Sequence, residues 1–175
     1  PLGRKEELIQ LFASSIFISA VVGVLSVIIG TMTARALVLY DFAGKGFFYF
    51  LSMLPFLVPS TVFAMGIQVS FIRWGLSNTV TGVVVAHTIC SLPYAVHLMI
   101  EGTEAVGNKL EEQARVLGAG PWKAFFKVTF PMLMPVMLAS MSMSYIVSFS
   151  QYFITLLIGG GSVKTFAIVM VPYLQ

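Results

Sequence analysis

The sequence predicts an all-α membrane protein, and three observations carry that prediction. Hydrophobic residues make up 58% of the 175 residues and charged residues only 10%, where an ordinary soluble domain carries about 25% charged residues. Mean hydropathy is +0.93. The apolar residues also gather into runs long enough to cross a bilayer, which takes about 20 residues of helix. Between the third and fourth runs lies one polar island, residues 101–124. The net charge of +3 is too small to argue for a nucleic-acid partner, and the basic residues lie in loops and at run ends, as membrane topology requires.

The first run covers residues 9–32. Ser19, Gly23, Ser26 and Gly30 recur along it at helical spacing, giving a small face that lets a neighbouring helix approach closely. Arg35, Asp41 and Lys45 then mark a glycine-containing loop. The second run, 47–72, is interrupted by Pro55 and Pro59. Two prolines four apart remove two helix donors and force a kink or a break, which at membrane depth is buried in protein or faces water. Gln68, near its end, is a polar group for an interhelical bond or for a pathway. Trp74 follows in a short turn at headgroup depth.

The third run, 80–100, carries His87, Cys90, Pro93 and His97. The two histidines stand about 15 Å apart along a helix at ~1.5 Å per residue, so they cannot share a metal. They read as hydrogen-bonded side chains, and no metal site is expected. The fourth run, 125–158, is too long for one straight span. Ser140, Ser144, Ser148 and Gln151 form a polar stripe along it, suited to a pathway wall or a helix–helix seam. The stretch 148–161, SFSQYFITLLIGGG, ends in glycines and leaves regular helix. A fifth span begins at 163 and is cut off at 175. With no initiator methionine and no cleavable leader visible, the chain reads as a fragment, the central part of a longer protein.

The island has a structure of its own. Asn108 is placed to N-cap a helix, with Glu111 three residues on in the capping-box position. Glu111 and Arg115 fall four apart in the favourable order. Gly118 follows the last apolar residue, Leu117, as a glycine past a helix C-terminus does. Pro121 suits the first position of a second helix. The expectation is a short helix over 108–117, a turn at Ala119-Gly120, and a second helix entering the fourth run. A soluble helix–turn–helix between membrane spans is built to be touched by something in the cytoplasm.

The same residues carry a resemblance. Glu112-Gln113-Ala114, three residues, Gly118, nine residues, then Val128-Thr129-Phe130-Pro131 resembles the EAA loop of the inner-membrane permeases of bacterial ABC importers. Gln113, Val128 and Phe130 depart mildly from that pattern. The resemblance implies a type I permease bundle of one transmembrane domain, with the loop as its coupling helix. It implies a separate ABC ATPase that binds ATP and magnesium, so that this chain binds no cofactor and catalyses nothing itself. It also implies a second permease copy or paralogue and an extracytoplasmic solute-binding protein, in the bacterial inner membrane. By similarity, Glu111, Glu112, Ala114, Leu117, Gly118 and Gly120 would contact or shape the ATPase-coupling surface. Ser144, Ser148, Gln151 and Gln68 would line the pathway or the permease–permease seam. The LPFLVP and SFSQYFITLLIGGG segments look most like the branch handling polyamines, thiamine and ferric iron, although acidic residues often seen there in polyamine permeases are missing.

Charge agrees with a cytoplasmic island. The inner side would carry Arg35, Lys45, Lys109, Arg115, Lys123 and Lys127, the outer side Arg4, Lys5, Arg73 and Lys164. Apart from Lys127 at the mouth of the fourth, none of the first four runs contains Asp, Glu, Lys or Arg. Ion-driven pumps need titratable groups at membrane depth, and no phosphate-cradling GxxxxGK[ST] is present, so the energy source lies outside this chain. The alternatives are a stand-alone secondary transporter or channel, which the charge-free runs disfavour, and a membrane enzyme using His87 and His97, which lack an acidic neighbour in sequence.

Overall fold

A computed structural model describes residues 2–170. Its frame is three long helices packed on one another: α1 (Leu2–Leu39), α4 (Val80–Val106) and α7 (Phe130–Phe149). Between α1 and α4 lie α2 (Lys45–Leu57) and α3 (Ser60–Arg73). Between α4 and α7 lie α5 (Lys109–Val116), α6 (Pro121–Ala124) and a π-helical turn over Phe125–Thr129. After α7 come α8 (Phe153–Gly159) and α9 (Phe166–Met170). No strand occurs among the described residues.

Small residues set how closely the three long helices approach. The stripe on α1 is the packing seam the sequence predicts, with Ser19, Gly23, Ser26 and Gly30 all buried. A Cβ on Gly30 would stand 3.1 Å from the Ala95 backbone of α4, and one on Gly23 would stand 3.2 Å from Met141 of α7. On α4, Gly102 leaves room for Val136. Two apolar clusters fill the bundle. Ala34 and Leu37 of α1 meet Val96, Met99, Ile100 and Leu133 at one end. Ile18 and Val22 meet Phe71, Val83, Ala86, Ile154 and Ile158 at the other.

The proline pair breaks the second run as its spacing requires. Pro55 is absorbed inside α2, while Val58 is extended, as a residue before proline prefers, and Pro59 is the N-cap position of α3. The two halves meet at 108°. No described residue of α2 is buried, and Phe47, Phe48, Phe50 and Phe56 stand exposed. By length and composition, three helices among the described residues can cross a membrane, and the bent pair makes up to a fourth.

Several boundaries differ from the sequence reading. α1 continues to Leu39, so Arg35 sits on the helix rather than in the loop; a partner on α5 neutralises its charge there. α4 runs six residues past 100 to Val106, carrying the exposed Glu101 and Glu104, so the island proper begins only at Gly107. The fourth run ends earlier than expected. Helix stops at Phe149, and α8 starts after the break at Ser150 to Tyr152. Asn78, itself at φ +61°, donates its N–H to the Ile158 carbonyl at 2.8 Å and ties the α3–α4 turn to α8. The expected fifth span coincides with α9 at its start; its remainder, 171–175, lies outside the described residues.

Candidate coupling site at the polar end of the bundle

The island folds into the expected short helix, turn and second helix, but by different contacts at its start. α5 begins at Asn108 without a side-chain cap. Asn108 Nδ2 instead donates to Glu112 Oε1 at 2.7 Å. Neither the capping box nor the Glu111–Arg115 pair forms, because Glu111 is drawn inward. Its two carboxylate oxygens accept from Arg35 Nη2 at 3.1 and 2.9 Å. Glu111 Oε2 also accepts from the Thr129 hydroxyl at 2.5 Å. The Arg35 and Glu111 side chains are only 17% and 12% exposed, and the guanidinium lies 4.8 Å over the Phe125 ring, a cation–π contact. One carboxylate thus joins α1, α5 and the π-helical turn. Sequence reasoning could not find Arg35, 76 residues away and read as a loop charge.

The C-terminal end follows the glycine logic closely. Gly118 holds φ +91°. Its N–H donates to the Arg115 carbonyl and that of Ala119 to the Ala114 carbonyl, both at 3.0 Å. These are the paired bonds of a Schellman cap. Gly120 is extended and Pro121 opens α6. The turn leaves an apolar tip in the open: Val116 and Leu117 are each 87% exposed and Trp122 76% exposed. Glu112, Gln113 and Arg115 are exposed and Ala114 half-buried. No residue of α5 is fully buried.

The intramembrane candidates separate. Ser144 and Ser148, expected on the pathway or the permease–permease seam, are instead buried inside this chain, together with Ser140. The reason is α4, which lies along this face. Ser91 donates to the Ser144 carbonyl at 3.4 Å, and His87 Nδ1 lies 2.9 Å from Ser148 Oγ. His87 Nε2 lies 2.9 Å from Thr155 Oγ1 on α8, so this histidine clamps the α7–α8 break and is the hydrogen-bonded side chain expected. His97 is exposed and has an acidic neighbour after all, Glu101 at 3.3 Å one turn on. Gln151, half-buried in the break, lines a cavity of about 370 Å³ with Phe56, Pro59, Cys90 and Tyr94. Gln68 is half-buried on α3. No group of three or more metal-ligating side chains converges among the described residues.

Long apolar helices with a proline-broken pair and an exposed, glycine-capped helix at one end describe a multi-pass membrane protein. Comparison makes the assignment specific. The chain belongs to the family of binding-protein-dependent transport system inner membrane components, whose pattern matches residues 10–172. Among its relatives is the arabinooligosaccharides transport system permease protein AraQ of Halalkalibacterium halodurans, 30% identical over 73% of this chain and 45% of the relative. The sulfate transport system permease protein CysT of Escherichia coli is 28% identical over 89% and 58%. The putrescine transport system permease protein PotI of the same species is 24% identical over 93% and 60%. The chain spans about half the length of the curated relatives it matches.

Proposed function

We propose that this chain is part of the permease subunit of an ATP-driven importer, and that α5 and its glycine turn are the docking element for a separate ATPase. The observation that carries the reading is the tip of that turn. Val116 and Leu117 are each 87% exposed beside the exposed carboxylate of Glu112 and the exposed Arg115, on a helix that buries nothing fully in its own chain. Apolar side chains held out on a capped turn form a plug for a partner's groove, and flanking charges orient it. Ala114, Gly118 and Gly120 complete the surface by keeping it narrow. Glu111 belongs to it only indirectly, since its carboxylate is turned into the chain.

In this reading the ATP and magnesium are bound by the ATPase. A second permease copy or paralogue completes the pathway, and an extracytoplasmic solute-binding protein delivers the cargo. The relatives' names, covering an oligosaccharide, sulfate and putrescine, assign no single cargo class to this chain. Within the half-pathway, Gln151 and Gln68 remain candidate lining residues, while Ser144 and Ser148 serve the internal seam. The island faces the cytoplasm of a bacterial inner membrane.

The test is to express the full permease with its cognate ATPase and binding protein and to measure co-purification and ATP-dependent uptake together. Stoichiometric ATPase that is lost when Leu117 becomes Asp supports the reading. Uptake by the permease alone in liposomes, without ATP, overturns it in favour of a stand-alone transporter.

A further inference from the structure

We infer that motion of α5 is delivered to the spans through Arg35 and α1, not through the backbone on either side of α5; the inference rests on α5 being the docking helix. Both ends of α5 are glycine joints. Gly107, at φ +63°, separates it from α4, and Gly118, at φ +91°, separates it from α6. At Gly107, Gly118 and Gly120 alike, a Cβ would meet nothing within 4 Å, so no packed neighbour stiffens these joints. With no fully buried residue and Ala114 only half-buried, α5 is weakly anchored by apolar packing.

What holds it is the Glu111 carboxylate. It accepts from Arg35 Nη2 of α1 and from the Thr129 hydroxyl at the entry to α7. At 17% and 12% exposure, the Arg35–Glu111 pair is screened far less than a surface ion pair. Breaking it leaves a mostly buried charge without its counter-charge. Arg35 Nη1 is buried and has no hydrogen-bond partner among the described residues. On α1, Ala34 and Leu37 flank Arg35 and pack on Val96, Met99, Ile100 and Leu133. A displacement of α5 therefore pulls on the turn of α1 that is wedged into the bundle core. Arg35 and Thr129 are positioning residues that touch neither cargo nor nucleotide.

The test uses the complete transporter in proteoliposomes, with uptake and ATP hydrolysis read in the same vesicles. Arg35→Gln is expected to lower uptake per ATP hydrolysed ten-fold or more, on the order of one decade per 1.4 kcal/mol of lost coupling, while the ATPase still co-purifies. Arg35→Lys should recover part of that ratio. An unchanged ratio overturns the inference, as does loss of the ATPase in step with uptake, which would make Arg35 a docking contact. If Arg35→Gln fails to accumulate, Glu111→Gln, which removes the charge from the other side of the same pair, decides by the same ratio: a fall with the ATPase retained supports the inference and no change overturns it. A wild-type complex that neither retains an ATPase nor needs ATP defeats the docking reading itself. A wild-type and an Arg35→Gln complex that couple equally well defeat only the inference.

Discussion

Replacing Gly118 by alanine separates what the chain's own backbone needs from what a docked partner needs. Gly118 sits at φ +91° and closes α5 with the Gly118-to-Arg115 and Ala119-to-Ala114 bonds. A Cβ there meets nothing within 4 Å. The cost within the chain is therefore the left-handed backbone penalty alone, about 1–2 kcal/mol. α5 has no fully buried residue to offset that cost, so the closed-to-open ratio of its last turn falls by roughly 5–30-fold. Gly120 is the control. Its backbone is extended, at φ −65° and ψ 159°, and it too has open space around a Cβ. Any residue adopts that conformation, so Gly120→Ala costs the chain almost nothing. Gly118→Asn is a second control, because asparagine tolerates the left-handed region. Retention of the ATPase on immobilised permease is the assay, with uptake in parallel. Gly118→Ala should lose retention by up to about the 5–30-fold derived above, Gly118→Asn less, and Gly120→Ala should stay close to wild type. Equal losses in Gly118→Ala and Gly120→Ala would refute the backbone argument and leave steric exclusion by the partner as the cause.

Other substitutions test the rest of the structure. Glu112→Gln should weaken ATPase retention roughly ten-fold or more, because a charge-assisted contact contributes about 1.5–3 kcal/mol; unchanged retention would remove Glu112 from the docking surface. His87→Phe leaves Ser148 Oγ without its partner in the buried seam, so thermal stability in detergent should fall by about 1–3 kcal/mol. Ser144→Ala should leave it nearly unchanged, since that hydroxyl is buried without a partner among the described residues already. Gly30→Leu must push apart α1 and the Ala95 backbone 3.1 Å from a Cβ, costing about 1–3 kcal/mol or more. Gly66→Ala, on an open face of α3, should be harmless, and comparable loss in both would deny the seam its role.

The features legible in the sequence are those a few residues decide among themselves. Pro55 and Pro59 break a helix wherever it lies. Gly118 ends α5 because the next conformation needed is left-handed, and Pro121 starts α6 because its missing N–H is no loss there. The α1 stripe was legible as packing because glycine in an apolar helix has little other use. The serine stripe on α7 was not. Small polar residues at helical intervals look the same whether they face a pathway, a second subunit or a neighbouring helix, and only the position of α4, with His87 and Ser91, decides among these.

Glu111 shows the same limit with charges. Sequence spacing pairs it with Arg115, an exposed helix pair contributing about 0.2–0.5 kcal/mol. The fold offers Arg35 at 2.9 Å with both side chains largely shielded from water, where the interaction is several times stronger at equal distance. The longer-range pair wins, and its consequence reaches the surface. With Glu111 turned inward, Asn108 bonds Glu112 instead of capping α5, and Arg115 is left exposed one residue before Val116 and two before Leu117. The outward face of the helix therefore carries Glu112 and Arg115 around an apolar tip. Charge of both signs beside exposed valine and leucine favours a partner of matching pattern and penalises a purely apolar one, because such a partner would bury both charges unpaired.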